Sequence, residues 1–285
     1  MRIAVLSGKG GTGKTLLSVN MAAAASTTSQ YLDCDVEEPN GHLYFKPEEL
    51  ITEDVNVKIP FVDPILCNGC RKCVEFCKFN ALAYINKLIV FEDICHSCGG
   101  CTILCPENAL SEKDKSIGRI ERGISENVRV LSGILNIGQA SGVPIINQLL
   151  KESSKSEDIT IIDCPPGSAC IVMESIKDAD YCLLVAEPTL FGVHNLDMVV
   201  ELVELFNKPY GVVINKSMNG ENPVRDYCEE KGIKILEEIP FDNELGTLNS
   251  NALIATRESE KYNKIFTSIL ETIVMEVEHE TVIST

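Results

Sequence analysis

Short apolar runs alternate with amphipathic stretches along most of the chain. Residues 2–7 form a first apolar run ending in a glycine-rich turn, 16–25 reads as a helix, and 30–35 (Gln-Tyr-Leu-Asp-Cys-Asp) is a second strand. Far downstream, Ile159–Asp163 is apolar without alternation, the texture of a strand covered on both faces. Tyr181–Ala186 and 210–215 repeat that texture, with helical spacing over 191–206 and 222–231. Strand followed by helix, repeated, predicts right-handed crossovers and an α/β doubly wound, mostly parallel sheet. Ligands of such sheets bind at the carboxyl ends of the strands.

The alternation breaks near residue 61. From 61 to 111 the chain turns cysteine-rich, with a hairpin-like stretch over 82–90 turning at Asn86-Lys87, and 117–135 reads as strands returning to the main sheet. The expected organisation is one α/β domain over 1–60 and 112–285, interrupted by a small α+β insert over 61–111. At 285 residues the chain is long enough for both.

Composition narrows the setting. No apolar run approaches the roughly 18 residues that a membrane-crossing helix needs, and Met1-Arg2 leads directly into a strand, so a cytoplasmic address is expected. A formal net charge of −17 argues against nucleic acid and anionic lipid as partners. The apolar spacing of Ile265, Ile269 and Ile273 in the acidic C-terminal stretch reads as core packing, not membrane docking. Thirteen cysteines in such a chain point to thiolate ligands more than to disulfides. Five of them, Cys34, Cys164, Cys170, Cys182 and Cys228, stand outside any pattern and are expected to be small buried residues.

Between the first strand and first helix lies Gly8-Lys9-Gly10-Gly11-Thr12-Gly13-Lys14-Thr15, a match to G-x4-G-K-[ST] in its proper strand-to-helix setting. Its backbone N–H groups would close on phosphates at a helix N-terminus, with Lys14 neutralising the β/γ charge and Thr15 holding Mg²⁺. The extra lysine makes the segment similar to the deviant phosphate loop of the MinD/ParA and nitrogenase iron-protein family of dimeric ATPases. That resemblance implies that Lys9 reaches a partner protomer's nucleotide, so that the site is completed in a nucleotide-bound homodimer. It also implies that Asp35 positions or activates the attacking water. Asp163, opening Asp163-Cys164-Pro165-Pro166-Gly167, would bind Mg²⁺, and Gly167 would swing toward the γ-phosphate. Asn215 would read adenine and Pro240 would border it, which favours ATP.

Eight cysteines form two copies of C-x2-C-x2-C-x3-C: Cys67, Cys70, Cys73, Cys77 and Cys95, Cys98, Cys101, Cys105. The spacing resembles that of bacterial-type ferredoxins, where each run gives three thiolates to one 4Fe–4S cluster and the fourth to the other. Cys67, Cys70, Cys73 and Cys105 then belong to one cluster, and Cys77, Cys95, Cys98 and Cys101 to the second. Pro106 follows the last ligand as that pattern expects, whereas Lys78 stands where the other run's proline would be. Zinc knuckles also use C-x2-C, but need only two cysteines each, and both runs carry the third and fourth.

Nearly the whole chain is similar to the ferredoxin-containing subgroup of MinD-like ATPases. The implied activity is Mg-dependent ATP hydrolysis coupled to electron transfer by two clusters, toward a protein electron acceptor. Two alternatives stand beside it. One is an iron–sulfur assembly or carrier ATPase with a protein client, although the C-terminal C-x-x-C of scaffold relatives is missing, since the last cysteine is Cys228. The other is a non-membrane positioning or regulatory switch with redox-sensing clusters.

Overall fold

The computed structural model describes residues 1–153 and 159–283; the end of the expected C-terminal stretch falls outside them. The strands are β1 (Arg2–Leu6), β2 (Ser29–Asp33), β3 (Glu48–Val62), β4 (Leu82–Tyr84), β5 (Leu88–Val90), β6 (Leu110–Ser125), β7 (Val128–Leu135), β8 (Ile159–Asp163), β9 (Tyr181–Ala186), β10 (Tyr210–Ser217) and β11 (Ile235–Pro240). The helices are α1 (Lys14–Ala24), α2 (Gly41–Phe45), α3 (Lys72–Phe76), α4 (Gly100–Ile103), α5 (Val143–Ser153), α6 (Cys170–Ile176), α7 (Leu190–Leu205), α8 (Pro223–Lys231), α9 (Asn243–Ser250), α10 (Ala255–Glu258) and α11 (Glu260–Ile283).

One sheet runs β11-β10-β9-β1-β8-β2-β7-β6-β3. Its strands are parallel from β11 to β7, and antiparallel where β6 joins β7 and β3 joins β6. The apolar runs of β1, β8 and β9 are buried on both faces because helices cover both. On one side α5, α6, α7 and α8 pack over Leu32, Cys34, Ile162 and Leu184. On the other, α1 and α11 pack over Ile3, Val5, Tyr31 and Ile161. Ile269 and Ile273 of α11 are buried there, as their spacing predicts. None of the described helices is long and apolar enough to cross a membrane.

β3 and β6 pair almost end to end, from Glu48↔Ile124 to Val62↔Leu110, so a long two-stranded ribbon leads away from the sheet edge. Between its distal ends the chain builds α3, the β4–β5 hairpin and α4. Leu82, Leu88 and Leu110 pack there with Cys73 and Cys101 in a small cluster separate from the two faces of the main sheet. The hairpin lies within the predicted 82–90 stretch.

Candidate functional site

The two aspartates of β2 and β8 lie side by side because the strands pair in register, Asp33↔Asp163. Period-2 alternation turns Asp33 toward Tyr31 and sends Cys34 into the opposite core. Asp163 Oδ2 accepts from the Tyr31 hydroxyl at 2.9 Å, and Asp33 Oδ2 accepts from the Gly41 N–H at 2.8 Å. Both Oδ1 atoms are buried with no hydrogen-bond partner among the described residues. Burial raises the pKa of Asp163, opposed by the Lys14 ammonium and then by the nearby Thr15, Tyr31 and Ser18 hydroxyls. Burial, and then the charge of Asp163, holds Asp33 well above the ordinary carboxylate range. A buried carboxylate oxygen without a partner, beside a Thr hydroxyl and a lysine, is a donor set that fits hydrated Mg²⁺.

The phosphate loop follows β1 and starts α1 from Gly13, whose φ of 103° only glycine adopts without strain. A Cβ on Gly13 would lie 2.2 Å from Asn215 Nδ2, so the loop and β10 are pressed together at this point. Asn215 donates to the Thr12 carbonyl at 2.7 Å, and its Oδ1 accepts from the Lys216 N–H at 2.9 Å. Each end of its amide keeps one further bonding position, the complement that a bidentate contact to adenine N6 and N7 requires.

A cavity of about 340 Å³ opens over this loop. Gly10, Gly11, Gly13, Lys14, Thr15, Asp35, Asn215 and Pro240 all line it, so the structure gathers most of the predicted nucleotide residues into one place. Gly8 and Thr12 sit behind it: a Cβ on Gly8 would lie 2.2 Å from the Asn195 carbonyl of α7, and Thr12 is buried. Gly167 has φ 95° with open space around it, and donates to the Ser7 carbonyl at 2.9 Å. The pKa of Asp35 is raised to about 6, by burial first, against the lowering charge of Lys14. Lys9 is paired within its own chain, its Nζ 2.6 Å from Glu187 Oε2.

Several residues at this cavity were not singled out by the motifs. Tyr44 and Asn249 form its far wall, joined by a hydroxyl-to-amide hydrogen bond of 2.8 Å. Glu187, outside the cavity lining but paired with Lys9 and Lys216, follows β9 directly, and the rule that open α/β sheets use their strand ends would have pointed to it.

The eight patterned cysteines line two further cavities. Cys67, Cys70, Cys73 and Cys105 border one; Cys77, Cys95, Cys98 and Cys101 border the other. The two runs adopt the same backbone conformation. Left-handed residues fall at equivalent positions in each, Gly69 and Ser97 (φ 74° and 55°), Arg71 and Gly99 (61° and 70°), Asn80 and Asn108 (55° and 51°). Each run also turns a backbone N–H onto its fourth thiol, Ala81 to Cys77 Sγ at 3.4 Å and Ala109 to Cys105 Sγ at 3.3 Å. Among the described residues, no three His, Cys, Asp or Glu side chains converge tightly enough to hold a single metal ion. Four thiols around a cavity, with amides aimed at sulfur, are a donor set that fits a polynuclear iron–sulfur group. Lys58, Pro60 and Glu112 of the ribbon line the Cys77 cavity, whereas Leu110 at the ribbon's end lines the other. Of the unpatterned cysteines, Cys34, Cys164, Cys182 and Cys228 are buried as expected, whereas Cys170 is exposed at the start of α6.

Residues 3–253 match the family model described as CobQ/CobB/MinD/ParA nucleotide binding domain. The chain is 32% identical over 277 residues to the uncharacterized protein MJ0578 of Methanocaldococcus jannaschii, covering 95% of each. It is 24% identical over 294 residues to the iron-sulfur cluster carrier protein of the same organism, covering 95% of this chain and 84% of that one. Its fold is similar to that of the septum site-determining protein MinD complexed with Mg-ADP from Pyrococcus horikoshii OT3, with a TM-score of 0.59, 15% identity and 95% of each chain covered.

Proposed function

Since the chain belongs to the CobQ/CobB/MinD/ParA nucleotide-binding family, we propose that it hydrolyses Mg-ATP over its phosphate loop and couples that cycle to two 4Fe–4S clusters. The observation that carries this reading is the sorting of eight cysteines into two four-thiol cavities, on a ribbon that belongs to the same sheet as the nucleotide site.

At the nucleotide, the loop N–H groups and Lys14 hold the phosphates, and Thr15 and Asp163 hold Mg²⁺. Asp35 orients the attacking water and accepts its proton. Gly167, free to change conformation, turns its N–H from the Ser7 carbonyl toward the γ-phosphate, which moves the segment after β8. Lys9 stabilises transition-state charge in the partner protomer, so hydrolysis belongs to a homodimer. Asn215, with Pro240 beside it, reads adenine.

Cys67, Cys70, Cys73 and Cys105 would hold one cluster, and Cys77, Cys95, Cys98 and Cys101 the second, over an insert spanning 61–111. Bound there, the clusters supply one-electron reduction and oxidation. The partner is a protein electron acceptor, and the thiolate ligands and acidic surface suit the cytoplasm better than an oxidising compartment, nucleic acid or a membrane. Likeness to an iron-sulfur cluster carrier protein favours a second reading, in which the clusters are delivered to a client protein.

Lys14→Ala and Asp35→Ala are expected to abolish ATP turnover while leaving the visible absorption of the clusters intact. Undiminished turnover in either variant would remove the assigned site. Transfer of iron and sulfide to an apo-protein acceptor, faster with Mg-ATP and without change in reduction potential, would select the carrier reading.

A further inference from the structure

Lys9 is tethered inside its own protomer by a bridge of two lysines on one carboxylate. Glu187 Oε2 lies 2.6 Å from Lys9 Nζ, and Glu187 Oε1 lies 2.6 Å from Lys216 Nζ. Lys216 also donates to the Gly11 carbonyl at 2.9 Å, and Lys9 Nζ stands 5.4 Å from the centre of the Phe191 ring. The backbone that bears the carboxylate is closely packed. Thr189 caps α7 by accepting from the Gly192 N–H at 2.9 Å, and a Cβ on Gly192 would lie 2.0 Å from the Glu187 carbonyl. The phosphate loop rests on the same helix through Gly8 and Asn195. The backbone at Glu187 and the backbone beside Lys9 are thus both packed against helix α7, so one element sets the spacing between the two sides of the bridge.

Building on the dimer reading above, we infer that Glu187 is a positioning residue: it holds Lys9 in its own protomer until a nucleotide-bound partner competes for it. Burial works against the charged form of Glu187, yet the hydrogen bonds from Lys216 and Lys9 keep its pKa below the ordinary value, so the bridge is fully formed at neutral pH. The second lysine makes release inexpensive. When Lys9 leaves, Glu187 stays paired with Lys216, and no carboxylate is stranded without a partner. Glu187 and Lys216 thereby set how readily Lys9 exchanges from carboxylate to phosphate.

The two halves of the bridge should shift dimerisation in opposite directions. In an Asp35→Ala background that keeps ATP unhydrolysed, sedimentation velocity with Mg-ATP gives the dimer dissociation constant, and equilibrium binding of ATP to dilute protein gives nucleotide affinity separately. Glu187→Gln is expected to tighten the dimer roughly three- to thirtyfold, since each dimer opens two partly exposed bridges. Lys216→Ala should weaken the dimer beyond any loss in ATP affinity, because departure of Lys9 then strands Glu187. Without nucleotide, acylation of Lys9 by an amine-reactive ester, followed by peptide mass spectrometry, should be faster in Glu187→Gln than in the parent. A parent that dimerises beside a Glu187→Gln variant of equal or weaker dimerisation, or equal Lys9 reactivity in the two, overturns the latch alone. A parent that stays monomeric with Mg-ATP at every concentration overturns the dimer reading, and the latch with it.

Discussion

Asp35 is half-buried beside Lys14, and burial raises its pKa to about 6, so in the free chain its carboxylate becomes anionic only as pH rises through that value. In the proposed mechanism kcat/KM for ATP therefore rises with pH, with a midpoint near 6, and Asp35→Asn loses hydrolysis at every pH. A flat profile across the midpoint would remove Asp35 from the role of base. Asp33 and Asp163 carry a second consequence. Their pKa values are raised by burial, so between about pH 4, where the unfolded chain ionises, and their folded values, the folded chain binds more protons. Stability without metal must then fall as pH rises through this window. Carboxylates held low by cationic partners, such as Glu187 and Asp242, lose their contribution only at more acidic pH and do not reverse the sign. In the proposed site Mg²⁺ would supply the missing positive charge, so thermal melts should show a stabilising increment from Mg-ADP that grows from pH 5.5 to 7.5. An increment that shrinks with rising pH would contradict the aspartate assignment. At Gly13, alanine would have to adopt a left-handed conformation costing roughly 1–2 kcal/mol. It would also push its Cβ into Asn215, so Gly13→Ala should lose nucleotide binding and melt at lower temperature.

At the scale of elements, how well each was legible in the sequence follows its burial. β1, β8 and β9 are covered on both faces and announce themselves as unbroken apolar runs. The ribbon strand β3 does not, because most of its residues before Ile59 are exposed and its pairing with β6 is set by the backbone ladder instead of a buried face. The nucleotide site was legible for a similar reason: phosphate binding at a strand-to-helix turn constrains glycine and lysine at fixed spacing, and those are visible one letter at a time. Tyr44 and Asn249 come to that cavity from separate elements, and Glu187 reaches Lys9 from the end of another strand, with no motif spacing to betray any of them. The ribbon also fastens the Cys95 loop. Lys115 of β6 donates to the Glu92 carbonyl at 2.9 Å and to Asp93 at 2.8 Å, and Lys113 pairs with Glu92 at 2.6 Å. Lys115→Ala should raise hydrogen exchange of the amides around 92–98 while ATP turnover stays close to that of the parent. Unchanged exchange there would mean that the loop is held by its own packing.

At the scale of the whole molecule, the nucleotide cavity and the thiol cavities are joined by one sheet. β2 and β8 bring Asp35 and Asp163 to their carboxyl ends, and the same sheet continues through β7 and β6 into the ribbon that carries the cysteines. A rearrangement around the γ-phosphate thus has a continuous hydrogen-bonded route toward the Cys77 cavity, the one that Lys58 and Glu112 border. Protein isolated without oxygen should contain close to eight iron and eight sulfide per chain. The most direct test of the central claim is an anaerobic redox titration followed by electron paramagnetic resonance, with and without Mg-ATP. Coupling predicts that Mg-ATP shifts the midpoint of at least one cluster, and that Lys14→Ala abolishes the shift; superimposable titrations with bound Mg-ATP would contradict it.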